Sequence, residues 1–275
     1  MIEIDKIYHY TSIEAFQGII KNDELWLSER NCMNDIFDEN YIKNIVKKIL
    51  NPNNSPLFKG SLFDEDFISD LPQYVFSTSI QKDVAHQWLN YGMNNPICIA
   101  FDKNKLVEYF SKFSKQDYIV GKHYYENHFF SSEVIYNKDE VTNKAEQFVS
   151  LYRDEWYKEL ENVTSPRSPE FFSAFLDFHN FYSCVKQPNF YAENEYRFLI
   201  YTKRKPEFRT RGDRLISYLK VHIEREKLPI LEIIVSPFTS DGTYNNTIRK
   251  FLYDNEYRDT IVSPSELHLR KTHNN

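Results

Sequence analysis

QYVFSTSIQKDVAHQWLNYGMNNPICIAFD, residues 73–102, is the stretch on which the fold turns. Its first seven residues, QYVFSTS (73–79), mix β-branched and aromatic side chains and end in small hydroxyls, as a strand does. Beyond them Ile80, Val84, Trp88 and Tyr91 recur at i, i+4, i+8 and i+11, which is one face of a helix. PICIAFD (96–102) follows as a continuous apolar run, the pattern of a buried strand. Strand, helix, strand is expected here, and the flanking segments decide what kind of sheet it joins.

Toward the N-terminus, IEIDKIYHYTS (2–12) places Ile4, Ile7 and aromatics through Tyr10 in a short strand. Thr11-x-x-Glu14 then has the form of a capping box, opening a helix with Ile13, Phe16, Ile19 and Ile20 on one face. ELWLS (24–28) reads as a second strand, MNDIFDENYIKNIVKKIL (33–50) as a helix capped by Asn34 or Asp35, and NPNNSPLFKGS (51–61) as a break. Toward the C-terminus, residues 103–186 are mostly helical in pattern, with a strand suggested at SSEVIY (131–136) and a breaker at SPRSP (165–169). Strands return at EYRFLIY (195–201), RLISYLKV (214–221), LEIIVSPF (231–238) and DTIVSP (259–264), with a helix near 243–253. Strands and helices mix without strict alternation, so the expected class is α+β, in one domain over residues 1–275 with a helical insert at roughly 103–186.

The composition narrows the function. The 275 residues are 41% hydrophobic and 16% aromatic, enough for a large core, and the net charge of -6 opposes binding of a polyanion except through a local basic patch. The one such cluster is KRKPEFRTRGDR (Lys203 to Arg214), either a solvated hairpin or a guide for a phosphate-bearing substrate. Cys32, Cys98 and Cys184 lie far apart with no CxxC pair, so neither a disulfide framework nor a cysteine zinc site is indicated. No stretch reaches the ~18 apolar residues of a membrane span and the first residues lack a signal-peptide pattern, so a cytoplasmic protein without a membrane partner is expected. Glycine is scarce, at 6 residues, and neither GxGxxG nor GxxxxGK[ST] occurs, which disfavours the common nucleotide folds.

Three constellations carry candidate chemistry. YHYTS (8–12) sets His9, Tyr10 and Thr11 at a strand-to-helix junction, where the histidine is either a core residue bonded to backbone or a ligand contact. Ser77, Thr78 and Ser79 end a strand, and Trp88 and Tyr91 after them either pack in the core or sandwich a flat cationic ring such as nicotinamide. ENEYRFLIY (193–201) sets Glu193 and Glu195 two residues apart, on one face if extended, where mutual repulsion would raise one pKa unless Arg197 neutralises it.

The order of these segments resembles the layout of the ADP-ribosyltransferase superfamily. A closer similarity is to an uncharacterised bacterial domain-of-unknown-function family, family 2971, through YHYTS, LWLS...MNDIFDE, FSTS, WLNYG...ICIAF, K...F..ENEYRFL (Lys186, Phe190 and 193–199), LEIIVSP and a final segment from Ser265 to Arg270. The resemblance implies an ADP-ribosyltransferase-like core and NAD+ as substrate, with His9, Tyr10 and Thr11 near a ribose, and Ser77 to Ser79 with Trp88 and Tyr91 at the nicotinamide. Glu195 would hold the nicotinamide ribose, and Glu193 beside it would orient or deprotonate the acceptor. Asn34, Asp35 and Glu39 could line the cleft or belong to an ordinary helix cap, Arg197 would be among the binding residues, and Arg30 could take the pyrophosphate. Tyr10 stands where the transferases usually have glycine, which departs from the pattern.

Cleavage of the nicotinamide bond passes through an oxocarbenium-like state, so a carboxylate near the ribose is the chemical requirement. Water as acceptor makes a glycohydrolase; a protein, nucleotide or small molecule makes a transferase. By analogy with bacterial relatives the activity would serve defence or act as a toxin. No metal is expected. Two rivals stay open: a metal-dependent nuclease built on Asp177, Glu193 and Glu195, and a non-catalytic nucleotide-binding or sensor module on the same fold.

Overall fold

The computed structural model describes residues 5–33, 41–42, 44–46, 48–49, 72–91, 96–116, 118–120, 123–125, 127–161, 169–239 and 242–267. Strand β1 (Lys6–Thr11) leads into helix α1 (Ile13–Asn22). The cap is Ser12, one residue beyond the expected Thr11, because Thr11 is still paired with Ile97; the Ser12 hydroxyl accepts the Ala15 N–H at 3.2 Å. Phe16, Ile19 and Ile20 form the buried face of α1, and Asp23 ends it in the left-handed region at φ 51°. Strand β2 (Leu25–Glu29) and a 3-10 turn (Arg30–Cys32) follow. Residues 41–49 are helical where described, while Asn34, Asp35 and the break at 51–61 lie outside the described residues.

Strand β3 (Gln73–Ser79) coincides with its sequence expectation, but helix α2 (Ala85–Tyr91) starts later than the apolar spacing suggests. Asp83 at φ 60° stops a helix from running back to Ile80, which is left exposed. Strand β4 (Ile97–Asp102) is buried throughout, and Asp102 caps helix α3 (Lys103–Ser114).

The segment expected to be a helical insert is more varied. It contains the hairpin β5 (Tyr118–Val120) and β6 (His123–Tyr125), strand β7 (His128–Glu133), and helices α4 (Lys138–Glu161) and α5 (Pro169–Ser183). β7 belongs to the main sheet, paired with β8 (Glu195–Tyr201) from His128 opposite Tyr201 to Glu133 opposite Tyr196. A 3-10 turn (Pro188–Glu193) precedes β8, and β9 (Glu207–Arg211), β10 (Arg214–Val221), β11 (Ile230–Val235), α6 (Gly242–Asp254) and β12 (Ile261–Pro264) complete the chain.

Among the described residues the large sheet has ten strands, paired antiparallel except for β11 and β12, which pair in parallel. The architecture is therefore mixed α and β around a largely antiparallel open sheet. Its junction is β3. One edge pairs with β8 from Gln73 opposite Tyr201 to Ser79 opposite Glu195. The other edge is divided, since Ser79 pairs with Tyr8 of β1 while Val75 and Tyr74 pair with Ser28 and Glu29 of β2. The sheet forks there. β1, β4, β11 and β12 leave one way, and β2, β10 and β9 the other.

Alternation gives the two faces separate roles. One carries Ile7, Tyr74, Phe76, Phe198 and Ile200 against α1, α3 and α6, with Phe110 stacked on Phe198 at 4.7 Å. Burying each such aromatic contributes roughly 1.5–3 kcal/mol, so this face is the main source of stability. The other carries Tyr8, Tyr10, Cys98 and Ala100 against Trp88, and Val75, Leu199 and Tyr201 near the end of α5.

Candidate functional site

The second face holds the candidate site. Ser77 pairs directly with Arg197 and Ser79 with Glu195, so these four side chains share that face, and the pairing of Tyr8 with Ser79 adds Tyr8 to it. Glu193 reaches the same place by a different route from the expected extended Glu-x-Glu. It ends the 3-10 turn, and Asn194 reverses the chain in the left-handed region at φ 43°, a conformation asparagine tolerates.

Four charges alternate there: Glu193, Lys186, Glu195 and Arg197. The Lys186 ammonium lies 2.6 Å from Glu193 Oε2 and 3.4 Å from Glu195 Oε1. Arg197 Nε donates to Glu195 Oε2 at 2.7 Å, and its Nη1 donates to the Ser183 carbonyl at 2.7 Å. The Lys186 side chain is 3% exposed, so its charge depends on such partners, these acids among them. The carboxylate repulsion that the Glu193–Glu195 spacing suggests is thus answered by a cation between the two. Lys186 is fixed because the chain after α5 docks beside β7: its N–H donates to the Ile135 carbonyl at 3.0 Å, next to a bridge between Ile135 and Val185.

A second polar layer lies behind. Arg30 donates to Gln73 Oε1 at 3.2 Å and to the Ser183 hydroxyl, and its guanidinium covers the Tyr182 ring at 4.0 Å. These contacts already engage the guanidinium of the partly buried Arg30, the residue that could take a pyrophosphate. Burial pushes the Cys184 thiol up to about 11 and Cys98 well above its ordinary value, so neither is a thiolate nucleophile near neutral pH.

His9 is not part of this group. It sits on β1 between Tyr8 and Tyr10, and alternation turns it to the opposite face from Tyr8, Ser79 and Glu195. Its ring packs on Phe76 at a centroid distance of 4.5 Å, and its Nδ1–H crosses the fork to donate to the Ser77 carbonyl at 3.0 Å. Desolvation lowers its pKa to about 4, and the field of Arg209 adds a smaller push in the same direction. The ring is neutral at pH 7, with Nδ1 protonated because its acceptor is a carbonyl. Of the two readings open for this histidine, the aromatic-packed, backbone-bonded one is realised.

The other predicted residues divide in the same way. Trp88 is 0% exposed, its Nε1–H donating to Asp83 at 2.6 Å, and so it offers no face to nicotinamide. Tyr10 packs edge-on against it at 5.0 Å, while its hydroxyl accepts the Val84 N–H at 2.9 Å. Thr11 is buried on the His9 face, and Thr78 donates to the Tyr196 carbonyl at 2.9 Å. Ser79 Oγ accepts from Gln81 N–H at 3.2 Å, whereas Ser77 Oγ is buried without a partner among the described residues. Tyr91 ends α2 with its side chain outside the described residues, as are Asn34, Asp35 and Glu39. Among the described residues no three His, Cys, Asp or Glu side chains gather to hold a metal ion, so Asp177, Glu193 and Glu195 form no such site. No helix among the described residues is long and apolar enough to cross a membrane.

One participant, Asp83, had no readable sequence signal, whereas Lys186 opens the K...F..ENEYRFL segment, its partners seven and nine residues on, across a turn. Asp83 accepts from Trp88 Nε1, from the Ser265 hydroxyl at 2.6 Å and from the Glu266 N–H at 2.6 Å, tying the segment after β12 to the start of α2. A family model described as protein of unknown function (DUF2971) matches residues 87–198, a span that includes Lys186, Glu193, Glu195 and Arg197. No curated protein and no solved structure matches the chain.

Proposed function

We propose that the protein binds NAD+ or a related nucleotide on an ADP-ribosyltransferase-like plan, with glycosyl transfer from NAD+ as the reaction its acidic pair would carry. One observation carries this reading: two segments more than a hundred residues apart bring strand-borne hydroxyls, Ser77 and Ser79, directly opposite Arg197 and Glu195. The resemblance implies Glu195 at the nicotinamide ribose and Ser77 to Ser79 at the nicotinamide, so their direct pairing is what supports the reading. For cleavage, Glu195 would accept the ribose 2'-hydroxyl and stabilise the developing cation, a charge-assisted bond of roughly 1.5–3 kcal/mol. Glu193 would serve the acceptor.

The fit is partial. Both oxygens of Glu195 are engaged, by Lys186 and Arg197, so a ribose hydroxyl must displace or share one of these partners. Trp88 and His9 face elsewhere. These observations favour a second reading, binding without turnover, in which the ionic chain is a structural anchor.

Titration calorimetry with NAD+ and a nicotinamide-release assay, on wild type and Glu195→Gln, separate the readings. Heat with release that vanishes in Glu195→Gln supports transfer. Heat without release supports binding alone, and absence of both overturns the nucleotide reading.

A further inference from the structure

The wing formed by β2, β10 and β9 carries a site unrelated to the acidic pair. Direct pairings put Ser28 opposite Tyr218, Trp26 opposite Lys220, Glu207 opposite Tyr218, Arg209 opposite Ile216 and Arg211 opposite Arg214. All these side chains share one face. The basic cluster of the sequence is thus a strand and a turn, with three arginines displayed on one side of a hairpin.

Trp26, 36% exposed, stacks on Tyr218 at 4.6 Å, and its indole N–H is held by Glu24 at 2.9 Å. The Arg209 guanidinium lies 5.5 Å from both rings and donates to Ser28 Oγ at 2.9 Å, yet its Nε is buried with no partner. Burial and the neighbouring Arg211 both disfavour its charged form. Arg211 and Arg214 are exposed and make no ion pair among the described residues. Of the acids near this face, Glu207 is taken by Lys220 at 2.9 Å and by the Tyr218 hydroxyl, Glu24 holds the Trp26 indole, and Asp213 sits in the turn. The hairpin tip is therefore cationic and under-neutralised in a chain of net charge -6.

We propose that this face binds single-stranded nucleic acid. Arg209 and Arg211 stand two residues apart on β9, about 6.6 Å, with Arg214 across from Arg211 on β10, a cationic strip suited to adjacent phosphates, and the aromatic pair at its other end offers a stacking platform. β10 alone, with 8 residues, runs about 26 Å at ~3.3 Å per residue, longer than one mononucleotide needs. The inference stands independently of the NAD+ reading.

Fluorescence anisotropy with labelled single-stranded RNA and DNA of about 12 nucleotides, within the ~4–16 nucleotide range of such sites, tests it against a duplex of the same sequence. Wild type should bind the single strands more tightly than the duplex. Arg211→Ala/Arg214→Ala should weaken binding about tenfold and flatten the log–log salt slope by about 1.4, from ~0.7 for each lost phosphate contact. Trp26→Ala should weaken it without changing that slope. Phe208→Ala, exposed on the opposite face, serves as the control and should leave binding unchanged. Melting curves confirm that each variant folds. No binding at low salt, equal or tighter duplex binding, or an unaffected double-arginine variant overturns the proposal.

Discussion

Replacing Lys186 with methionine removes the cation between Glu193 and Glu195 while keeping most of the side-chain volume. At N–O separations of 2.6 and 3.4 Å each ion pair carries a gross attraction on the order of 5 kcal/mol at an effective dielectric near 20. Most of that offsets the desolvation of a lysine only 3% exposed, so the intact chain adds little net stability. Removing one member is different, because acids that are 14% and 11% exposed lose their shared counter-charge. The expected loss is about 3–5 kcal/mol at pH 7, equivalent to a fall in Tm of about 6–20 °C at roughly 2–4 °C per kcal/mol.

The sign of the pH dependence follows. Without Lys186 a buried carboxylate favours its protonated form, so the folded variant takes up a proton that the unfolded chain does not, and acidification toward pH 5 should narrow its deficit relative to wild type. Adding Glu193→Gln should restore part of the loss, since the pair between Glu195 and Arg197 then stands alone, and the two changes should couple by more than about 0.5 kcal/mol. Urea unfolding at pH 5 and pH 8 reads all of this. A loss below about 1 kcal/mol, or one equal at both pH values, would refute the buried-chain account.

His9, neutral in the fold with its pKa lowered to about 4, stabilises the protein fully above the unfolded value near 6.5, and that contribution should fall by about 3 kcal/mol as pH drops to 4. Ring resonances that titrate near 6.5 in the native state would contradict the placement. Trp88→Ala should cost about 3–5 kcal/mol through the cavity it leaves, measured by urea unfolding, while any NAD+ affinity of the fraction still folded stays within about twofold; a selective loss of affinity at unchanged stability would restore Trp88 to the site.

Local pattern made most of the sheet legible. QYVFSTS and EYRFLIY coincide with β3 and β8 because each is bounded by a turn and dense in residues that suit a pleated surface. The errors are local too. SSEVIY was three residues late as a strand because HFF, the start of β7, lies in a pattern that reads as helical, and the chain leaves β8 after Glu133. What no window could show is how distant residues meet. Lys186 joins the acids through the docking of α5, and the basic run 203–214 becomes a one-sided arginine array only once β9 pairs with β10.

The separation of His9 from Glu195 follows from register. β1 pairs with β4 over six residues, from Lys6 opposite Asp102 to Thr11 opposite Ile97, and only one of its residues pairs with β3. A slip of one residue would turn His9 toward Glu195, but it would also turn Ile7 out of the core and drive Tyr8 and Tyr10 into the space filled by Phe76 and its neighbours. Six paired residues and a fully buried isoleucine oppose that exchange. Any nucleotide that meets Glu195 must therefore be held by groups on the same face of the forked sheet. Ser77, whose hydroxyl is buried without a partner among the described residues, is on that face, and His9 is not.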